Sequence, residues 1–202
     1  MKQEKQRSII EVQTPRLTLR TPKIADLDVI KGAIDASVDN IAPWLEWAKP
    51  GFSRDALRSF LNYAISCHVE EKPNNLFFSI FDKSNGQFIG DIYYGTIDWT
   101  VPYFAIGYWI DSRQSGKGYM LEAVNALARL GLSYFKAKRI EISMSELNLS
   151  SKKIPERLGF DFEGELKNRH VNFVTKTVCN TLMYSCCKIE RLPPLKVEWF
   201  TD

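Results

Sequence analysis

The sequence predicts one α/β domain built on a mixed, mostly antiparallel central sheet of about seven strands flanked by about four helices. Three observations predict it. Segments of period-two and period-3.6 hydrophobicity follow one another as strand, two helices, three strands, helix, strand, helix, two strands. The composition, 45% hydrophobic and 25% charged over 202 residues, is that of a globular chain able to bury a large core. No Gly/Ser/Pro-rich linker, internal repeat or low-complexity stretch divides the chain, so residues 1–202 are expected to form a single domain, with a core over about 15–188 and short extensions at both ends.

Residues 16–20 (RLTLR) alternate and predict a strand. Spaced apolar residues over 24–36 predict a helix. Ser53 is placed to cap a second helix, in which Leu57, Phe60, Leu61, Ala64 and Ile65 share one face. Three strands are expected at 76–81, 88–97 and 103–110, the first two joined as a hairpin by the turn residues Lys83-Ser84-Asn85-Gly86. A long helix over 118–135 follows. Its polar stripe is Glu122, Asn125, Arg129, Ser133 and Lys136, and the rest of its surface is apolar, as suits a helix lying on a sheet. Residues 139–144 predict a strand and 150–157 a short helix. Phe160, Phe162 and Leu166 alternate with Asp161, Glu163, Glu165 and Lys167, the pattern of a half-buried strand, and 178–188 supply the last one.

Bulk properties exclude several function classes. A net charge of +3 tolerates an anionic ligand and is far too small to argue for nucleic acid. The opening MKQEKQRSII lacks the apolar core of a secretory leader, and no apolar run approaches the ~18 residues of a membrane span. Cys67, Cys179, Cys186 and Cys187 fit no zinc spacing, and the adjacent Cys186 and Cys187 make a poor disulfide framework. The reading is reduced thiols in a cytoplasmic protein. His68 and His170, the two histidines, cannot make a metal site by themselves, and no metal is expected.

The most informative segment is YFAIGYWIDSRQSGKGYMLEA, residues 103–123. A strand ends near Ile110, and the polar loop Arg113-Gln114-Ser115-Gly116-Lys117-Gly118 opens directly into the long helix. Glycines there let the backbone turn tightly and approach a ligand. The first helical amides have no intrahelical partner and carry the positive end of the dipole, a combination that binds pyrophosphate. Arg113 and Lys117 add charge. The loop is neither a Walker A sequence nor a GxGxxG fingerprint. Taken alone, it is read equally well as a plain strand-to-helix turn.

A second segment, NLSSKKIPERLGF over 148–160, changes the balance. Arg-x-x-Gly-x-Gly after an IGYWI strand resembles the acetyl-CoA loop of GNAT N-acetyltransferases. Asn148, Ser151, Ile154, Glu156, Arg157 and Leu158-Gly159-Phe160 resemble, in spacing, the Asn-x-x-Ser … Glu-Lys-Leu-Gly-Phe segment of that superfamily's ribosomal-protein N-terminal (Rim-type) branch. The opening PRLTLR, the segment Pro43-Trp44-Leu45-Glu46-Trp47 and Glu163-Gly164 resemble the same branch, so the likeness runs from about Pro15 to Tyr184.

The resemblance implies a GNAT fold, acetyl-CoA as acetyl donor with coenzyme A as product, and an amine as acceptor. It implies that the 103–110 strand splays from 139–144 and that the cofactor's pantetheine pairs with the exposed backbone around Tyr108, Trp109 and Ile110, one N–H there facing the thioester oxygen. The side chains of Tyr108 and Trp109 are read as core. Arg113, Gln114, Ser115, Gly116, Lys117, Gly118 and Tyr119 would cradle the pyrophosphate. Asn148 would bond the amide-bearing arm, its alternative being a loop-forming Asn. Many GNAT enzymes carry a Tyr acid seven residues after the Asn; here Pro155 stands there. The Rim-type branch implies Ser151 instead, whose alternative is a helix cap. The common Glu base two residues before the strand glycine is replaced by Ala105. The Rim-type Glu nineteen residues after the Ser is replaced by His170, here read as lying on a loop. His170 is a reasonable base near neutral pH or else a solvated surface residue. Asp98 is a weaker candidate at a strand end. Trp44 and Trp47 line the acceptor cleft or cap the core edge.

An α-amine of pKa ~8 is ~10% deprotonated at pH 7, a deficit of ~1.4 kcal/mol, against ~4.6 kcal/mol for a lysine near ~10.4. A site with a weak base thus suits an α-amine or a weakly basic small amine better than lysine, and the Rim-type resemblance makes a protein or peptide α-amino group the expected acceptor. A small amine (polyamine, antibiotic or amino acid) stays open, as does a regulatory module that holds acetyl-CoA without turnover. No nucleic-acid or membrane partner is expected, and a homodimer is compatible with the sequence.

Overall fold

The computed structural model describes residues 9–202, so the leader reading of the first ten residues falls mostly outside it. The elements are β1 (Ile9–Gln13), β2 (Leu17–Arg20), α1 (Leu27–Ile41), α2 (Arg54–Ser66), β3 (Leu76–Asp82), β4 (Phe88–Asp98), β5 (Tyr103–Ile110), α3 (Tyr119–Ser133), β6 (Arg139–Ser145), α4 (Leu149–Arg157), β7 (Asp161–Val171), β8 (Val178–Cys186) and β9 (Glu198–Thr201). The strands form one sheet in the order β7-β8-β6-β5-β4-β3-β2-β1-β9. All pairs are antiparallel except β5 with β6.

The strand alternation divides the core in two. On one face Leu19, Ile80, Ile92, Tyr94, Phe104, Ile106, Ile140 and Ile142 meet the apolar side of α3. The helix lies close there: Gly131 leaves no room for a side chain beside Ile140, and the Tyr94 hydroxyl donates to the Leu127 carbonyl at 2.6 Å. Cutting fully buried Leu127 back to Ala is worth about 2–5 kcal/mol of stability. On the other face Phe88 and Trp109 pack against Leu27, Ile30 and Ile34 of α1 and Leu57 and Leu61 of α2. Ser53 caps α2 as expected, accepting from the Ala56 N–H at 3.0 Å.

The parallel β5–β6 pair holds only from Tyr103↔Arg139 to Ala105↔Glu141. Beyond it, β6 stays zipped to β8 as far as Ser145↔Thr181, while β5 stays zipped to β4. Gly95 bulges out of β4 between Tyr94↔Ile106 and Thr96↔Ala105, and a bulge bends its strand where the ladder is interrupted. The bend falls where β5 leaves β6, and from Ile106 onward the facing edge of β5 is open.

The sheet has nine strands rather than about seven. β1 and β9 pair with each other at one edge and take the core beyond the expected 15–188. They are five and four residues long, too short for periodicity to show. β7 is not half-buried: Phe162 is 56% and Leu166 45% exposed, because the strand is the sheet's outer edge. It also runs on to Val171, so His170 lies on a strand, opposite Cys179, and not on a loop. The four thiols are unpaired, and among the described residues no helix is long and apolar enough to cross a membrane.

Candidate active site

The loop after β5 is built as an anion cradle. Asp111, buried, accepts from the Arg113 N–H and organises the turn. Ser112 ties it to α1 through the Ser37 hydroxyl at 2.8 Å and the Ala36 carbonyl at 2.9 Å. Gly116 (φ +78°) and Gly118 (φ +76°) take left-handed conformations that other residues resist. Gly118 caps α3 without a side-chain acceptor. The amides of Gly116, Lys117, Gly118, Tyr119, Met120 and Leu121 therefore find no acceptor among the described residues. Six adjacent N–H groups at a positive helix end form a site for an anionic group.

Beside the cradle, the fork between β5 and β6 opens into a cleft of about 530 Å³. Ile106–Ile110 form one wall and Ile142–Ser145 the other; Asn148, Ser151, Trp44, Tyr93 and His170 line it as well. The Phe173 N–H donates to the Pro43 carbonyl at 3.0 Å, joining the β7–β8 loop to the segment that carries Trp44.

Across the fork α4 faces β5. Asn148 caps it, its side-chain oxygen accepting from the Ser151 N–H at 3.1 Å. Pro155, inside the helix, has no N–H for the carbonyl four residues earlier, which is that of Ser151. The Tyr108 hydroxyl approaches there, 3.3 Å from the Ser151 carbonyl and 2.9 Å from its Oγ. Withdrawal from solvent pushes the Tyr108 phenol up to about 12.

A protein-family comparison matches residues 16–161 to the acetyltransferase (GNAT) domain. The chain belongs to the GNAT acetyltransferases. It is 30% identical over 159 residues to the uncharacterized N-acetyltransferase p20 of Bacillus licheniformis, covering 77% of this chain and 84% of that one. It is 34% identical over 106 residues to the probable N-acetyltransferase YjcK of Bacillus subtilis, matching 52% of this chain and 59% of that relative. A shorter match, 37% over 59 residues, covers 29% of this chain and 39% of the spermine/spermidine N(1)-acetyltransferase of the same organism. Among solved structures, the fold is similar to RimL, a ribosomal L7/L12 alpha-N-protein acetyltransferase in complex with coenzyme A (TM-score 0.79, 19% identity, 87% of this chain and 96% of that one). It is also similar to the microcin C7 self-immunity acetyltransferase MccE in complex with acetyl-CoA and AMP (TM-score 0.77, 22%, 86% and 93%).

This GNAT acetyltransferase uses acetyl-CoA, and the cradle's six amides, without an acceptor among the described residues, are free to meet an anionic group. The loop side chains are largely committed elsewhere. Arg113 is paired with Asp111 at 2.6 Å, whereas Lys117, donating to the neutral Gln114 side chain at 2.8 Å, keeps its charge. The Tyr119 ring lies under Arg16 and its hydroxyl donates to Asp82 at 2.6 Å, which leaves only its backbone N–H for the cradle. Ser115 and Ile110 line the cleft. Asp98 accepts from the Thr100 N–H at 2.7 Å and serves the turn after β4. Trp44 lines the cleft, whereas Trp47 packs edge-on against Trp109 at 6.1 Å, outside it.

His170 is half-buried against Phe173, and its Nε2 is buried without a hydrogen-bond partner. Loss of solvent lowers its pKa. Three further residues escaped the sequence reading. The Tyr108 side chain, read as core, reaches Ser151. Its signal was present: Ile106, Tyr108 and Ile110 share one face of β5, and Pro155 leaves a carbonyl open. Tyr93 lies flat over Gly107, where a Cβ would meet its ring at 2.4 Å. Asp91 accepts from the Trp109 indole at 3.0 Å and the Ser79 hydroxyl at 2.8 Å.

Proposed function

We propose that this acetyltransferase acts on the α-amino group of a protein or peptide, with His170 as base and Ser151 as acid. One observation carries the choice of acceptor: among the described residues, no side chain lining the cleft is a carboxylate, Lys or Arg, and its only titratable groups are His170, Tyr93 and Tyr108. A polyamine keeps further ammonium groups after one nitrogen is deprotonated. Such charges, taken from water without carboxylates to meet them, cost several kcal/mol each. An α-amine brings one charge and sheds it for ~1.4 kcal/mol at pH 7. The relative that acts on spermine and spermidine favours the polyamine reading, and the uncharged lining argues against it. The RimL likeness agrees with an α-amine acceptor.

The chemistry follows from placement. The amine attacks the thioester carbonyl held against the open edge of β5. A backbone N–H near Tyr108 or Trp109 meets the developing oxyanion. His170, which lines the same cleft and whose Nε2 has no partner among the described residues, takes the amine proton. Its lowered pKa keeps it neutral at pH 7, as a base must be. Ser151, opposite on α4, returns a proton to the sulfur. Trp44 flanks the entrance. The test compares kcat/KM for short peptides with free, uncharged N-terminal residues against spermidine and free lysine. The peptides are expected to lead by at least tenfold. Spermidine ahead of every peptide would overturn the proposal.

A further inference from the structure

We infer that the Tyr108 hydroxyl is a positioning residue for proton delivery: it turns the Ser151 hydroxyl toward the departing sulfur and resupplies its proton. The inference rests on Ser151 being the acid and is independent of which amine is the acceptor.

The geometry begins with a proline. Within α4 the carbonyl of Ser151 would ordinarily accept from the N–H of residue 155, and Pro155 has none. That gap is met from outside the helix, by the Tyr108 phenol of β5, at 3.3 Å. The same phenol is 2.9 Å from Ser151 Oγ. Among the described residues, every partner of the Tyr108 hydroxyl thus belongs to Ser151, and the only side-chain partner of Ser151 Oγ is Tyr108. A phenol is a better donor than an alcohol. The phenol has one hydrogen; turned from the carbonyl onto the nearer Oγ, it leaves the serine's own hydrogen to point into the cleft that both residues line.

The chemistry needs such a backing. An alkyl hydroxyl is about as weak an acid as water, ~15.7, whereas a thiol titrates near ~8.5. A serine acting alone would have to give its proton up a gradient of ~7 pK units. A phenol held at about 12 halves that gradient. In the relay the Ser151 Oγ–H bond breaks as S–H forms, and the Tyr108 O–H bond breaks as a new Oγ–H forms. The negative charge passes from sulfur to the Tyr108 phenolate, which solvent reprotonates, while His170 releases the amine's proton. Protons and charge balance over the turnover. The sequence makes this a substitution in place: Pro155 occupies the position where many relatives carry a tyrosine acid, and a tyrosine reaches the same turn from the opposite wall.

The test uses the full chain with saturating acetyl-CoA and its best amine. Tyr108→Phe should lower kcat about tenfold or more while leaving KM for acetyl-CoA within twofold. Ser151→Ala should lower kcat at least as much, and Tyr108→Phe/Ser151→Ala should be no slower than Ser151→Ala alone, because two members of one relay are not additive. A proton inventory in H2O/D2O mixtures should be curved for wild type and linear for Tyr108→Phe, a change that a purely structural brace between β5 and α4 would not produce. A slow Ser151→Ala beside a Tyr108→Phe with near-normal kcat, or losses that add in full, would overturn the inference and leave Ser151 as the acid. Normal kcat in both single variants would overturn the Ser151 assignment and the relay together.

Discussion

Replacing Asp91 by Asn should stabilise the protein by an amount that grows with pH. The carboxyl sits between strand neighbours, taking hydrogen bonds from Ser79 and Trp109, and no cation pairs with it. Loss of solvent outweighs those two bonds and pushes it up to about 7. Its folded value thus lies above the unfolded ~3.9, so between ~3.9 and ~7 the folded state binds a proton that the unfolded state has lost. Stability falls as pH rises through that window. The gap of ~3 units sets a ceiling of ~4 kcal/mol on the penalty above pH 7, and the edge of the residue that water still reaches brings the expectation to ~1–3 kcal/mol. Asn keeps an acceptor for the indole and cannot ionise. Urea unfolding of both proteins from pH 4 to pH 8 gives two curves of ΔG. Their difference should be smallest at pH 4, climb in favour of the Asn variant between pH 4 and pH 7, and level off toward pH 8. Parallel curves across the range would refute the reasoning.

Gly116→Val should weaken acetyl-CoA binding at least tenfold by calorimetry. The position is open in space but left-handed, so a β-branched residue strains the backbone by ~1–3 kcal/mol and turns the neighbouring amides, while the fold, read by circular dichroism, survives. Ser151→Ala should lower kcat more than it raises KM for acetyl-CoA, measured by thiol release. His170→Ala should cost ~10²-fold in kcat and flatten the acidic limb of the pH–rate profile, which for wild type should lie below ~6.5 because burial lowers the imidazole's pKa. His170→Glu should recover part of the rate. An unaltered profile in a folded His170→Ala protein would remove it from the mechanism.

Local features of the fold were legible and distant ones were not. The glycines and the start of α3 lie within a few residues of one another, so the loop could be singled out from spacing, although by itself it reads equally well as a plain turn. The commitment of Arg113 and Lys117 could not, because it depends on the buried Asp111 and Gln114 turning inward. The Tyr108–Ser151 contact joins residues 43 apart and needs α4 to face β5 across the fork. His170 was found by counting along the chain, yet its placement depends on a register shift between Leu166 and His170 on an exposed edge strand. Near it Asn168 takes φ +53° and donates to the Asn180 side chain. Alternation predicts a buried face for such a strand but cannot show that it is the sheet's outer edge. Trp44 and Trp47 sit three residues apart and look equivalent in sequence. Only the packing of Trp47 on Trp109 separates their roles.

A crystal structure of the protein with coenzyme A and an N-terminally acetylated product peptide tests the central claim most directly. The account predicts the pyrophosphate on the amides of Gly116–Leu121 and the pantetheine along the open edge of Ile106–Ile110. It places the sulfur toward Ser151 Oγ and the product's amide nitrogen within hydrogen-bonding reach of His170 Nε2, directly or through one water. Coenzyme A seated away from the fork, or a product nitrogen on the far side of the cleft from His170 with no water between them, would contradict it.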